Sequence, residues 1–178
     1  MAHGGAMNTA APMAPATAED APDIAALRDE LAHWMLANDI QQWKPGECPP
    51  ETVAAEIARG EWFIWRDEDG ALIATVRLIW RDPEFWGAAD GEAGYVHGLM
   101  VAPAHRGKQL GSRVLEFCAE RTLAHGLSVQ RLDTAENNAV LREFYAAQGF
   151  TQVGTAPLPA RFHGCERIVL LEKRLGAA

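Results

Sequence analysis

Apolar residues recur along this chain with two alternating periods, and the alternation predicts its elements. Between Pro22 and Ala37, Ile24, Leu27, Leu31 and Met35 fall on one helical face with Trp34 beside them, which predicts a helix. Lys44 to Pro50 is a Pro/Gly loop, and a shorter helix follows from Glu51 to Arg59, ended by Gly60. The period then shortens. Trp62 to Arg66 and Ala71 to Ile79 flank the turn Asp67-Glu68-Asp69-Gly70 and predict a hairpin. Asp82 to Gly94 reads as a loop carrying Pro83, Phe85 and Trp86, and the apolar run Tyr95 to Val101 as a buried strand. From Leu110 the helical spacing returns in Leu110, Val114, Leu115 and Cys118. A strand at Leu132, a helix opened by Asn138 and two strands, Phe150 to Gly154 and Arg167 to Leu175, around a loop from Pro157 to Gly164 complete the order; Met13 to Ala16 is a candidate short first strand. Strands precede and follow helices with no internal repeat, so the expected class is α/β (α+β) with one sheet of mixed direction.

The turn between the Tyr95 strand and the Leu110 helix has the chemistry of a phosphate cradle. It reads Arg106-Gly107-Lys108-Gln109-Leu110-Gly111, with Arg113 close behind. The first amides of a helix have no intrahelical partner, and the macrodipole adds about half a positive charge there, so an anion at that end is stabilised. Gly107 and Gly111 remove side chains that would hold a pyrophosphate away. A Walker loop needs Gly-Lys followed by Ser or Thr, which Gly107-Lys108-Gln109 lacks, and no G-x-G-x-x-G occurs.

A second segment lies about one helix and one strand further on: Leu132-Asp133-Thr134-Ala135-Glu136-Asn137-Asn138, then a helix through Leu141, Phe144 and Tyr145 to Gly149-Phe150. Asn138 is placed to cap that helix and Gly149 to end it in a left-handed turn. Together the two segments resemble motifs A and B of the GCN5-related N-acetyltransferases, specifically from Tyr95 to Phe150 and more loosely over the whole chain. Gln109 stands where that family usually has the middle glycine of Q/R-x-x-G-x-G/A. The resemblance implies a central mixed, mostly antiparallel sheet of six to seven strands flanked by about four helices. It also implies an acetyl coenzyme A site in which Arg106, Gly107, Lys108, Gln109, Leu110, Gly111 and Ser112 cradle the pyrophosphate, the backbone of Leu99, Met100 and Val101 takes the pantetheine arm, and Asn138 and Tyr145 lie alongside.

The same resemblance implies direct attack by a free amine on the thioester within a ternary complex, with Tyr145 donating a proton to the departing thiolate. A phenol titrating near 10 keeps its proton at neutral pH. An alkylammonium has no lone pair to attack with, so a base is needed, and His97, four residues before Val101, is the leading candidate by its titration range. In the arylalkylamine branch of the family a histidine stands in a similar place. A strand period of two puts Tyr95, His97, Leu99 and Val101 on one face, so Tyr95 is an alternative, as are Glu92 on the preceding loop and a water chain.

Composition narrows the partners. The 178 residues, 48% apolar, suffice for a core without metal or disulfide, and the expected organisation is a flexible arm over residues 1–12 followed by one domain over 13–178. A net charge of −8 argues against nucleic acid and mildly for a cationic substrate. Three widely spaced cysteines, Cys48, Cys118 and Cys165, form no disulfide framework, and neither a signal peptide nor a membrane span is legible, so a cytoplasmic protein, with a homodimer as an option, is expected. His163-Gly164-Cys165 is too sparse for a metal site, and none is expected.

All six tryptophans precede the two motifs. Trp62, Trp65 and Trp80 belong in or beside strands, whereas Trp43 and Trp86 fall in loops and, with Tyr95, are the candidate acceptor-binding residues. The function expected from the resemblance is acetyl coenzyme A dependent N-acetyl transfer to a small-molecule amine. A binding protein of the same fold without turnover, or an acetyltransferase acting on protein amines, is the alternative.

Overall fold

A computed structural model describes residues 12–176, and the arm expected over residues 1–12 lies, up to residue 11, outside them. In chain order the elements are β1 (Ala14–Pro15), α1 (Ala21–Ala37), α2 (Pro50–Ala58), β2 (Trp62–Arg66), β3 (Leu72–Ile79), α3 (Pro83–Trp86), β4 (Gly94–Val101), α4 (Leu110–Ala124), β5 (Val129–Ala135), α5 (Ala139–Ala147), β6 (Thr151–Pro157) and β7 (Arg167–Arg174). The seven strands form one sheet in the order β1-β2-β3-β4-β5-β7-β6. Every neighbouring pair is antiparallel except β4 and β5, which α4 connects in parallel. This is the mixed, mostly antiparallel sheet expected.

Alternation along the strands sorts the core. Phe63 and Trp65 of β2 join Val76, Val96, Leu132, Val169 and Leu171 beneath Val114, Leu115 and Cys118 of α4 and Tyr145 of α5. Trp62 and Ile64 point the other way, against Ile24, Leu27 and Leu31 of α1 and Val53 and Ile57 of α2. The run Trp62-Phe63-Ile64-Trp65 is therefore apolar throughout because helices cover both faces of the sheet. Ile24 is fully buried, and side chains of that kind each contribute about 1.5–3 kcal/mol, so the α1 face is fixed by burial more than by caps. Trp62 is also tied down at its polar edge, its Nε1–H donating to Glu56 Oε2 of α2 at 2.8 Å.

One helix goes beyond the periodic reading. Asp82 precedes Pro83, the first residue of α3, so the stretch read as an open loop turns helical for four residues and buries Trp86 against Tyr95, Ile168 and Leu170. Proline at a first helical position is pre-set in φ and lacks only an amide the helix does not use. A single turn is too short for any period to show.

β4 carries the irregularity that shapes the site. Thr75 lies opposite Met100 and Arg77 opposite His97, so Gly98 and Leu99 together stand opposite the single Val76. Gly98 has φ +54°, and a Cβ there would approach Trp62 Cη2 to 2.6 Å. Only glycine meets both demands, the left-handed conformation and the close approach. The bulge corrects the expected sharing of one face by His97, Leu99 and Val101. Leu99 and Val101 pack toward α4, Met100 toward α1 and α2, and His97 stays on the side of Tyr95.

Candidate active site

Two adjoining features make up the site: an opening in the sheet and the loop that leads from it into α4. β4 and β5 pair over Gly94↔Gln130, Tyr95↔Arg131 and Val96↔Leu132 and then part. Beyond that point the stretch from His97 to Val101 has β3 on one side only, and its groups toward β5 are left to a third party. Met100 is buried and Leu99 and Val101 are half-buried, so the backbone rather than the side chains of these three expected contacts faces the opening.

The chain leaves β4 through a short 3₁₀ turn at Pro103–His105 and reaches α4 with two left-handed residues, Gly107 at φ +76° and Gln109 at φ +56°. Gln109 thus holds the backbone shape for which glycine is the usual residue. Arg113 is the residue whose amide closes onto the Gln109 carbonyl, at 3.2 Å, and the earlier amides of the first turn point outward as helix geometry dictates. A Cβ on Gly107 would meet nothing within 4 Å, which leaves room above the turn, whereas one on Gly111 would touch Phe144 Cζ at 3.2 Å. Gly111 is therefore small because α5 packs on α4, a reason the sequence alone does not disclose. Leu110 is buried and contributes only its backbone; Ser112 is half-buried; Lys108 is exposed. The Arg106 guanidinium stacks 4.0 Å from the ring of Trp34, which anchors the loop to α1.

Where the strands part, three side chains converge. His97 Nε2–H donates to Asp82 Oδ2 at 2.7 Å, and its Nδ1 lies 3.7 Å from Asp133 Oδ1, too far for a hydrogen bond. One ligating atom from each of Asp82, His97 and Asp133 falls within 4.8 Å of the others. Phe85 of α3 walls the imidazole at 5.0 Å, and Phe162 of the β6–β7 loop stands 5.6 Å from Phe85. Burial alone would lower the proton affinity of His97, and Arg77 adds to that, but the bond to Asp82 and the charges of Asp133 and Asp82 prevail and lift its pKa above the ordinary histidine value. Asp133 is pushed up to about 6, chiefly by burial, with Asp82 adding to the push and His97 opposing it. Tyr145, buried beneath α5 between Phe144 and Phe150, is held well above the usual phenol range by burial and by the nearby Asp133 charge. It keeps its proton throughout the physiological range.

Asn138 performs the predicted cap, its Oδ1 accepting from the Leu141 amide at 3.2 Å, while its Nδ2 donates to Gln42 Oε1 at 2.7 Å. Gly149 ends α5 at φ +88°, as expected. Trp43 sits half-buried between α1 and α2 beneath the Arg28 guanidinium, 3.7 Å from its ring, and lines a shallow hollow of about 200 Å³ with Leu36 and Lys44.

Two expected site residues belong elsewhere. Tyr95 is fully buried, and its hydroxyl donates to the Gly91 carbonyl at 3.0 Å and accepts from the Gly91 amide and Arg131, so it is spent as a base. Trp86, in α3 rather than a loop, is core, packed edge-on against Tyr95 at 5.8 Å. Glu92 is exposed. The sequence does not announce Asp82 and Asp133 as partners of His97, because one lies fifteen residues before it and the other on a different strand. The signal for Asp133 was a lone carboxylate between Leu132 and Thr134, two positions that alternate into the core.

The chain matches the family model described as Acetyltransferase (GNAT) family over residues 28–150. An uncharacterized N-acetyltransferase of Archaeoglobus fulgidus is 29% identical over 94 residues, which cover 49% of this chain and 64% of that protein. Across the first curated relatives the matched segment spans between about a third and two thirds of their length. Among solved structures, a GNAT family acetyltransferase from Listeria monocytogenes superposes with a TM-score of 0.74 at 24% identity, covering 92% of this chain and 94% of that one. PaiA N-acetyltransferase from Thermoplasma acidophilum, solved with coenzyme A, superposes with a TM-score of 0.69 at 17% identity, covering 91% and 97%. At these identities the likeness to the solved structures is one of fold. Among the described residues no helix is long and apolar enough to cross a membrane.

Proposed function

We propose that this chain, which belongs to the acetyltransferase (GNAT) family, transfers the acetyl group of acetyl coenzyme A to the primary amine of a small molecule, both bound together. The observation that carries the reading is the parting of β4 from β5 after Val96 and Leu132, beside a helix start with two left-handed residues, of which Gly107 opens onto free space. A slender amide-bearing arm fits the unpaired backbone of His97 to Val101, and a pyrophosphate fits the outward amides between Gly107 and Ser112. Arg106 and Lys108 add positive charge at that end, and Asn138 and Tyr145 stand at the α5 side. Acetyl coenzyme A, when bound, supplies an acyl carbon activated as a thioester and a thiol leaving group.

The chain's own residues supply the rest. His97, oriented by Asp82, presents Nδ1 to the opening and takes up a proton there. Tyr145 holds its hydroxyl proton at neutral pH and is the group that gives one up. Phe85 and Phe162 exclude water from the His97 side. An acidic chain with carboxylates at this opening suits a cationic small molecule better than nucleic acid.

The experiment is incubation with acetyl coenzyme A and a panel of amines while free thiol is followed. Turnover by the parent and its loss in Tyr145→Phe supports the enzyme. Tight binding of acetyl coenzyme A with no thiol release across the panel means a binding protein instead.

A further inference from the structure

The Asp133 carboxylate is out of place unless something joins it. Its Oδ1 is buried and has no hydrogen-bond partner among the described residues. It confronts His97 Nδ1 across 3.7 Å. With Nε2–H on Asp82, the imidazole turns a lone pair toward Asp133 when neutral and an N–H when protonated, and at 3.7 Å neither satisfies the carboxylate oxygen. Leaving a buried acceptor unpaired is costly, and a carboxylate more so. Both side chains keep a small accessible window, 15% for His97 and 12% for Asp133, and they stand where β4 and β5 begin to separate.

We propose that Asp133 is the anchor for the acceptor's charged amino group: Asp133 Oδ1 and His97 Nδ1 form a two-point receptor for a primary alkylammonium, in which Asp133 holds the charge and His97 takes the proton. This rests on the acetyl-transfer reading and adds to it the acceptor class, an amine that arrives protonated. An alkylammonium carries three N–H donors, enough to reach both acceptors and keep one for water. One N–H bond breaks, one forms at His97 Nδ1, and the electron pair of the broken bond stays on the amine nitrogen as the nucleophile. The new imidazolium lies between two carboxylates, Asp82 on Nε2 and Asp133 beside Nδ1, which stabilise it. A cation entering beside Nδ1 also disfavours the protonated imidazole, so binding empties the position that then receives the proton. The other groups that bear on this pair are Arg77 of β3, Glu84 of α3, Tyr145 of α5 and Cys165 ahead of β7.

The test compares two acceptors at pH 7.5: a primary alkylamine, which is protonated, and a weakly basic arylamine, which is neutral. Asp133→Asn is expected to lower kcat/KM for the alkylamine by about 100-fold, the scale of a charged hydrogen bond, and for the arylamine by less than about fivefold, with the KM for acetyl coenzyme A unchanged. Equal losses on both amines, or none on the alkylamine, overturn the anchor. A parent protein that turns over neither amine overturns the acetyl-transfer reading itself, which is a different outcome. A second measurement needs no turnover and no variant: ¹³C NMR titration of the Asp133 carboxyl in the parent, with and without propylammonium chloride. The anchor requires a carboxyl whose resonance moves and whose proton affinity drops about tenfold or more with the cation. A resonance indifferent to propylammonium overturns it.

Discussion

Gly164 lies so close to the backbone of Gln42 that a methyl group on its α-carbon would overlap the Gln42 carbonyl. The same Gln42 accepts at Oε1 from Asn138 Nδ2 at 2.7 Å and from Thr134 Oγ1 at 3.3 Å, and the His163 amide donates to Glu47 at 3.0 Å. One glutamine thus buttons the segment between α1 and α2 to the β6–β7 loop, to β5 and to the cap of α5. Gly164→Ala is expected to push the two loops apart, costing about 1–3 kcal/mol as overpacking does. Thermal unfolding reads the stability, and steady-state kinetics should show a higher KM for the amine with little change for acetyl coenzyme A.

Gln109 sits in the left-handed region with φ +56° and ψ +21° at the start of α4. A non-glycine residue there is strained by about 1–2 kcal/mol, partly offset in any glycine variant by the greater freedom of the unfolded chain. Gln109→Gly is therefore expected to leave stability unchanged or raised by up to about 1 kcal/mol, and to lower the KM for acetyl coenzyme A by clearing the loop. Isothermal titration with coenzyme A checks the second part; weaker binding by the glycine variant would show that the glutamine side chain itself holds the ligand.

Tyr145→Phe removes one oxygen from a side chain that is otherwise core. The expectation is a fall in kcat of about 10- to 100-fold, the range of general acid catalysis by a placed group, with a melting temperature within about 2 °C of the parent. Because burial and Asp133 hold the phenol proton tightly, the parent's rate is not expected to decline through loss of that proton below pH 10. A pH profile that falls between 8 and 10 would remove Tyr145 from the acid role.

Asp133 trades stability for chemistry. Its pKa in the fold, about 6, lies above the ordinary carboxylate value of 3.8, so the folded state favours the protonated form. The contribution is complete below pH 3.8 and is lost as pH rises through about 6. His97, whose pKa is also raised, works in the same direction: its contribution is present below the ordinary histidine value and is lost as pH climbs through the folded one. The parent is therefore expected to lose stability as pH rises from about 3.8 through about 6, and further above the ordinary histidine value of 6.5. Asp133→Asn should flatten that slope and gain on the order of 1–2 kcal/mol at pH 8. Chemical denaturation at pH 5 and pH 8 supplies the comparison, and an asparagine variant weaker than the parent at pH 8 would contradict it.

What the sequence disclosed depended on how local each signal was. Residues that carry their own reason were legible: Asn138 caps α5, Gly149 ends it, and Trp62 to Arg66 reads as one strand of a hairpin, whereas its burial on both faces shows only in the fold. The α3 turn escaped because four residues hold no period, and Trp86 went with it. The faces of β4 were misassigned after His97 because a bulge inserts one residue, and nothing in Gly98-Leu99-Met100 announces that Val76 will oppose two residues. The surroundings of His97 were illegible for a third reason: Asp82 and Asp133 reach it only through the folding of α3 and the crossover of α4, so their meeting is a property of topology.

The short pairing of β4 with β5 has a consequence for solubility as well as for chemistry. Three residue pairs join two halves of a seven-stranded sheet, and past them each strand exposes an unmatched border. On the outside of a protein such a border invites other chains to add strands and aggregate. Here the border lies within the sheet, with α4 packed on both strands and β3 and β7 pairing their outer sides, so it is not the free edge at which a further strand adds.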